Sequence, residues 1–163
     1  MNKKPTALQR FILRVYNLPV LIPFWRVAHQ PLDSMTYKLT GGKTSLTEIL
    51  GGVAMIQLIA RGAKSGVERI HPLIGIYDGE RIALIASNFG RERNPAWYYN
   101  LKANPRCRVN RNGRISDYVA CEAEGDEREA YWQKALAVNP GYEKYRRLVP
   151  HRRIPVMLLA PLK

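Results

Sequence analysis

Apolar residues recur at intervals of three and four near the start of the chain, where Leu8, Phe11, Ile12 and Val15 share a face and Arg10 and Arg14 fall on others. That spacing predicts a short amphipathic helix over residues 6–17. Pro19 and Pro23 are expected to break it. The longest apolar run, Leu18 to Trp25, holds eight residues and two prolines, which is too short for a membrane span. Residues 31–52 are crowded with turn formers, including Pro31, Asp33, Ser34 and the glycine pairs 41–42 and 51–52. They read as a linker holding at most one short strand or helix.

From Val53 the pattern becomes strand, turn, strand. Strands are predicted over 53–59, 68–77 and 81–87, the last two joined by Asp78-Gly79, where both positions tolerate the positive φ of a type I′ turn. Asn94, as cap, and Pro95, at the first helical position, open a helix that Asn104-Pro105 stops. Two alternating stretches, 106–110 and 114–123, flank the turn Asn112-Gly113. Helices over 126–138 and 142–148 and a strand over 154–159 complete the chain. About six mostly antiparallel strands with few interposed helices predict an α+β, mainly β architecture, a small β-barrel with flanking helices.

Composition narrows the class. With 163 residues, 46% hydrophobic and 24% charged, the chain can bury one core, which excludes wholesale disorder, collagen and coiled coil. Lys and Arg total 26 against 13 Asp and Glu, a net charge of +13, so the expected partner is anionic. The only two cysteines, Cys107 and Cys121, lack CxxC spacing, and His29, His71 and His151 share no ligand spacing. No disulfide framework, metal site or Ser/His/Asp arrangement is expected, and no signal peptide is evident, which points to the cytoplasm.

Three constellations could carry chemistry. The turn Gly62-Ala63-Lys64-Ser65-Gly66, followed by Arg69, offers converging backbone N–H groups and two cations to a phosphate. A solvated charged hairpin explains the same residues. Ser87-Asn88-Phe89-Gly90 leads through Arg91 and Arg93 into Asn94-Pro95-Ala96-Trp97, which would bring donors to a helix N-terminus and let Trp97 wall a flat ring. Packing of Trp97, Tyr98 and Leu101 in a core explains that spacing too. Tyr142 and Tyr145 fall on one face of a short helix, either as an aromatic lid or as a staple to the barrel.

In their order, these pieces resemble the deazaflavin-dependent nitroreductase family, split β-barrel oxidoreductases that use reduced coenzyme F420. The matching residues are Gly62-x-Lys64-Ser65-Gly66-x-x-Arg69 with Pro72-Leu73; Asp78-Gly79-x-Arg81; Ala86-Ser87-x-x-Gly90; Asn94-Pro95-Ala96-Trp97-Tyr98-x-Asn100-Leu101; and Tyr142-x-x-Tyr145 with Ile154-Pro155-Val156. The resemblance implies a split, FMN-binding-like barrel over 53–163, preceded by a basic amphipathic segment over 1–30 and the linker over 31–52. It implies that Lys64, Ser65, Gly66 and Arg69 cradle the phosphate and acidic tail of the cofactor. Pro72, Ala86, Ser87 and Gly90 would line the deazaflavin ring, with Asn94, Trp97 and Asn100 at its edge, and Tyr142 and Tyr145 would face the substrate. At three positions the chain departs from the family's habit, with Ala63, Ile74 and Phe89.

The reaction so implied is hydride transfer to an electron-poor acceptor such as a quinone, enone or nitro compound, with Ser87, Tyr142 or Tyr145 donating a proton or hydrogen bond. A lipophilic acceptor would suit a basic N-terminus resting on an anionic membrane surface. Three other readings share these features: a split barrel that binds FMN or a tetrapyrrole, a non-catalytic lipid- or fatty-acid-binding protein, and salt-sensitive, nonspecific attraction to nucleic acid without a specific reader motif.

Overall fold

The computed structural model describes residues 6–16 and 18–162; Lys3 and Lys4 of the basic segment lie outside them. Its seven strands are β1 (Met55–Arg61), β2 (Glu68–Ile74), β3 (Ile76–Asp78), β4 (Arg81–Ile85), β5 (Arg106–Arg111), β6 (Arg114–Glu122) and β7 (Val156–Pro161). They form one antiparallel sheet in the order β2-β1-β5-β6-β7-β4-β3. β2 and β3 stand at opposite edges of that order, yet only Gly75 separates them in the chain. The sheet must therefore curl until its edges nearly meet, which makes it a split barrel.

Gly75 explains why the expected strand over 68–77 is two strands. Its N–H leaves the ladder to donate to the Ala54 carbonyl at 2.9 Å, and a Cβ there would lie 3.2 Å from both Ile56 Cγ2 and Ile82 Cγ2. At the two hairpins the turns differ. Asn112 and Gly113 both take positive φ (53° and 82°), as a type I′ turn needs, whereas in the Asp78-Gly79 pair only Gly79 does (60°).

Period-two alternation sorts the side chains into two layers. Ile82 and Leu84 of β4 point into the barrel with Ile56, Leu58, Met157 and Leu159. Ala83 and Ile85 point outward, where α5 (Gly125–Val138) and α6 (Gly141–Leu148) cover them with Trp132, Ala135, Tyr142 and Tyr145. Between β4 and β5, α4 (Ala96–Ala103) buries Trp97 and Leu101 against the barrel interior. Its N-cap is Pro95, with no side-chain cap bond. Asn94, expected as the cap, instead accepts a hydrogen bond from Arg152.

The N-terminal third departs most from expectation. The helix α1 (Ala7–Tyr16) forms as predicted, but a short 3₁₀ turn at Pro19–Leu21 leads straight into α2 (Ile22–Leu39), and α3 (Leu46–Gly51) follows. The expected linker over 31–52 is thus the second half of α2, a turn and all of α3. Pro23 sits in the first turn of α2, where no N–H is needed, and Pro31 lies within the helix. Asp33, taken as a turn former, is 1% exposed and ties α2 to α3. Its carboxylate accepts from the Thr47 N–H at 2.9 Å and the Thr47 hydroxyl at 2.8 Å.

Removing that carboxylate leaves two donors of α3 without their acceptor. Asp33→Ala should cost about 2–4 kcal/mol in urea unfolding, and Asp33→Asn less, since it keeps an acceptor. A loss under about 0.5 kcal/mol for the alanine variant would show that the tie carries no stability.

Candidate functional site

A cavity of about 400 Å³ opens where β2 faces β4, beneath α6 and the N-terminal helices. Six of the residues singled out in the sequence line it: Pro72, Ser87, Asn94, Trp97, Tyr142 and Tyr145. Trp97, Tyr142 and Tyr145 are also core residues, so packing and lining are one role for them. The rings of Tyr142 and Tyr145 stand 6.3 Å apart, edge to face. Burial pushes the Tyr142 phenol well above its ordinary pKa. It therefore stays protonated and able to donate at neutral pH.

Seven singled-out residues lie outside the lining. Lys64, Ser65 and Gly66 form the exposed tip of the β1–β2 hairpin. Gly66 has φ of 67° and donates to the Gly62 carbonyl at 2.9 Å, while Gly62 N–H donates to the Val67 carbonyl at 2.9 Å. Asn100 acts on this tip from α4, its Oδ1 accepting from the Ala63 N–H at 3.0 Å. Arg69 pairs with Ala60 across the ladder, and His71 with Leu58. Since Ala60 and Leu58 both face the barrel, Arg69 and the cavity-lining His71 share a face. They are two positions apart, about 7 Å along a strand. Arg81, Lys102, Arg108, Lys134, Arg146 and Arg147 all have carboxylate partners. Among the described residues Lys64 and Arg69 have none within ion-pair distance.

Ala86 and Gly90 support the loop from behind the cavity wall. The carbonyls of Ala86 and Ser87 accept from the guanidinium of Arg152 at 3.2 and 2.7 Å, and the same group holds Asn94. Arg152 therefore fixes both ends of the 87–94 loop. Its only sequence signal was the run His151-Arg152-Arg153 before the last strand. Gly90 has φ of 68°, and a Cβ there would meet Leu148 Cδ1 at 2.8 Å and the Tyr145 carbonyl at 3.3 Å. Asn88 and Phe89 share its left-handed backbone with φ of 50° and 52°, a strain worth about 1–3 kcal/mol per residue in general. The Phe89 ring offsets it by packing edge-on to His29 at 5.3 Å and to Tyr145 at 5.7 Å.

The N-terminal helices supply lining residues that motif reasoning missed, chiefly Tyr16, Trp25 and His29. His29 Nε2 lies 3.2 Å from Asp33 Oδ2. Burial lowers its pKa below 6.5, with Asp33 opposing. His71 is lowered as well, by burial first and then by Arg69. Both imidazoles are held neutral. The signal that could have exposed His29 is its i, i+4 spacing from Asp33, legible only once residues 22–39 are read as one helix.

For both histidines the folded pKa lies below the unfolded value of 6.5. The unfolded chain then binds more protons in that interval, so their stabilisation is complete above pH 6.5 and falls away as acid is added. Thermal unfolding temperatures should decline from pH 7 to pH 5, and His29→Gln/His71→Gln should flatten that decline. An equal slope in both chains would assign the acid sensitivity elsewhere.

Residues 32–161 match the sequence profile of the family described as F420H(2)-dependent quinone reductase. A Mycobacterium tuberculosis protein named for F420H(2)-dependent quinone reduction is 30% identical over 109 residues, covering 67% of this chain and 91% of the relative. A second M. tuberculosis protein with the same named activity is 35% identical over 79 residues, 48% of this chain and 52% of its own length. A solved F420-H2 dependent reductase superposes with a TM-score of 0.60 at 36% identity, covering 65% of this chain and 93% of that one.

Proposed function

The chain belongs to the F420H(2)-dependent quinone reductase family, its reductant is reduced coenzyme F420 and its acceptor a quinone, and from that premise we propose which residues do the work. Family membership selects coenzyme F420 over the FMN and tetrapyrrole readings that a split barrel alone leaves open. The residues present suit this cofactor. Its phosphodiester and polyglutamate tail need cations without other partners, and Lys64 and Arg69 are such cations. Arg61, Arg106 and Arg114 also lack a carboxylate partner among the described residues; what distinguishes Lys64 and Arg69 is their place on the hairpin whose second strand carries His71 and Pro72 into the cavity lining, and that observation carries the assignment.

When bound, the cofactor supplies the hydride. Lys64, Ser65, Gly66 and Arg69 hold its anionic arm at the hairpin tip, which Asn100 keeps in place. Arg69 and His71 line the path from that tip inward. Pro72, Ser87, Asn94 and Trp97 wall the flat ring, with Ala86 and Gly90 fixing the loop behind them. The acceptor then sits on the side of Tyr142 and Tyr145. Hydride addition to a quinone leaves negative charge on oxygen, and the protonated Tyr142 phenol, Tyr145 or the Ser87 hydroxyl is placed to donate to it. Walls on both faces of the cavity would let the chain hold donor and acceptor at the roughly 3–3.5 Å that hydride transfer requires.

Lys64→Ala/Arg69→Ala should raise the Kd for F420, followed by its fluorescence, by about 10²-fold or more, and should flatten the salt dependence of binding. Unchanged affinity in the double variant would overturn the cradle assignment.

Peripheral membrane contact is a finer reading of the N-terminal helices. None of the described helices is long and apolar enough to cross a membrane. Leu8, Phe11, Val20, Phe24 and Val27 are nonetheless exposed, Val20 by 78%, with Arg14 exposed beside them on α1. Such a surface would rest on anionic headgroups and offer a lipophilic acceptor a short path to the cavity. Because α2 walls that cavity, the informative variant keeps it: Phe11→Ser/Phe24→Ser should cosediment with phosphatidylglycerol vesicles several-fold less than the parent chain. Equal sedimentation would remove the membrane reading and leave the chemistry standing.

A further inference from the structure

One imidazole in the main cavity is oriented from several sides. His29 Nε2 lies 3.2 Å from Oδ2 of Asp33, a carboxylate 1% exposed that Thr47 also holds through its N–H and its hydroxyl. The ring is wedged edge-on between Phe89 at 5.3 Å and Tyr16 at 6.2 Å. Carboxylate and rings together fix which way the imidazole faces. Among the described residues nothing bonds Nδ1, and that atom is not sealed from solvent. His29 lines the cavity and neighbours Tyr145 through Phe89, on the side given to the acceptor.

Reduction of a quinone needs a proton as well as a hydride. Hydride addition leaves a hydroquinone monoanion, and a hydroquinone is a phenol, with an ordinary pKa of about 10. Burial holds the phenols of Tyr16 and Tyr142 well above their usual range, so either can donate a hydrogen bond to that anion but would release its proton only uphill. A His29 imidazolium releases it downhill, since burial keeps the ring below 6.5. His71 is lowered too, but its Nε2 is sealed from solvent, and it stands beside Arg69 on the cofactor side. We propose that His29 is the proton shuttle of the reaction, its Nδ1 taking a proton from water and passing it to the acceptor oxygen, with Asp33 as the positioning residue. The proposal rests on the reading above and adds a catalytic residue that lies outside the family match.

Hydride addition places an electron pair on the quinone oxygen, and negative charge arriving in the cavity favours the imidazolium. Nδ1 then draws a proton from water. Its N–H bond breaks toward nitrogen as the O–H bond forms, and the hydroxide left by water is neutralised by the proton that the reductant loses along with its hydride. Tyr16 from α1, Tyr142 and Tyr145 from α6, His71 from β2 and Arg91 from the 87–94 loop line the same cavity, and α3 contributes Thr47. The charge that acts against burial at His29 is that of Asp33.

The test uses the full chain with F420H2 and 2-methyl-1,4-naphthoquinone. Because the shuttle must carry a proton, kcat of the parent should fall as pH rises through the titration of His29. His29→Gln should lower kcat by about 10²-fold or more and abolish that pH limb, while changing the Kd for F420 and the KM for the quinone less than about threefold. Added imidazole should raise kcat of His29→Ala at least tenfold and leave the parent unaffected. Asp33→Asn keeps an acceptor but loses the charge, so it should move the limb to lower pH, which a purely structural role would not do. Independently of turnover, the His29 ring resonances of the cofactor-free chain should titrate with a midpoint below 6.5 that falls further in Asp33→Asn. A parent-like kcat in His29→Gln, a loss that imidazole does not restore, or a His29 titration indifferent to Asp33 would overturn the proposal. If the parent chain itself reduces no quinone, the functional reading fails instead.

Discussion

The close approach of two sheet edges at Gly75 governs everything else in the structure. A single residue carries the chain from β2 at one edge to β3 at the other, and no Cβ fits between Ile56 and Ile82 without one of them giving way. Curling the sheet that far packs the barrel interior with Ile56, Leu58, Leu84, Met157 and Leu159. The available space is along the seam, where His71 and Pro72 of β2 face Leu84 and Ile85 of β4 across one cavity. A site at a seam needs walls from elsewhere, and the helices that cap it supply them.

Charge is distributed to the same end. With half as many acids as bases, the chain cannot neutralise all its cations, and which ones stay unpaired is informative. Barrel and helix surfaces use their carboxylates locally, as Glu68 does for Arg108 and Glu143 for Arg146 and Arg147. Exposed pairs of this sort add little stability. Arg152 is turned inward, where its donors satisfy two loop carbonyls that have left the sheet ladder. Lys64, at a turn that Asn100 holds, and Arg69, at the start of β2, are like Arg61 and Arg106 left without a carboxylate partner among the described residues, so the proposed cradle would bind an anion without first breaking an ion pair.

Local rules made the barrel half of the chain legible. Alternation and paired turn residues located the β5–β6 hairpin, and the proline after Asn104 stopped α4, because these signals act over a few residues. The split at Gly75 was hidden, since it depends on Ile56 and Ile82, each distant or on another strand. Reading 31–52 as a linker failed for a related reason: Asp33 and Ser34 favour turns in isolation, but a buried partner at Thr47 makes a helical Asp33 the better-satisfied state. Motif order likewise singled out Lys64, Arg69, Ser87 and Trp97 as candidates, whereas Arg152 and Phe89 act through contacts that no spacing records, and the i, i+4 spacing of His29 from Asp33 is legible only once residues 22–39 are one helix.

What lies outside the family match is informative about the acceptor. The matched region begins at residue 32, so Leu13, Tyr16, Trp25 and His29 line the cavity from a part of the chain that the shared pattern does not specify. The layer they belong to is held on the barrel by a small cluster of Leu13, Tyr37, Val53 and Met55, by Ile22 packed into the cluster beneath α5 and α6 and by the Phe89 bridge, while the Asp33 tie joins its own helices to one another. Far more apolar surface joins α5 and α6 to the sheet. Regions with few buried contacts open at lower free energy than the core. On the proposed assignment the cofactor side of the site would be built on the sheet and α4, and the acceptor would lie between α6, which is firmly packed, and the N-terminal helices, which are held by fewer buried contacts. That division suits an enzyme whose reductant is always the same and whose acceptor must enter and leave with each turnover.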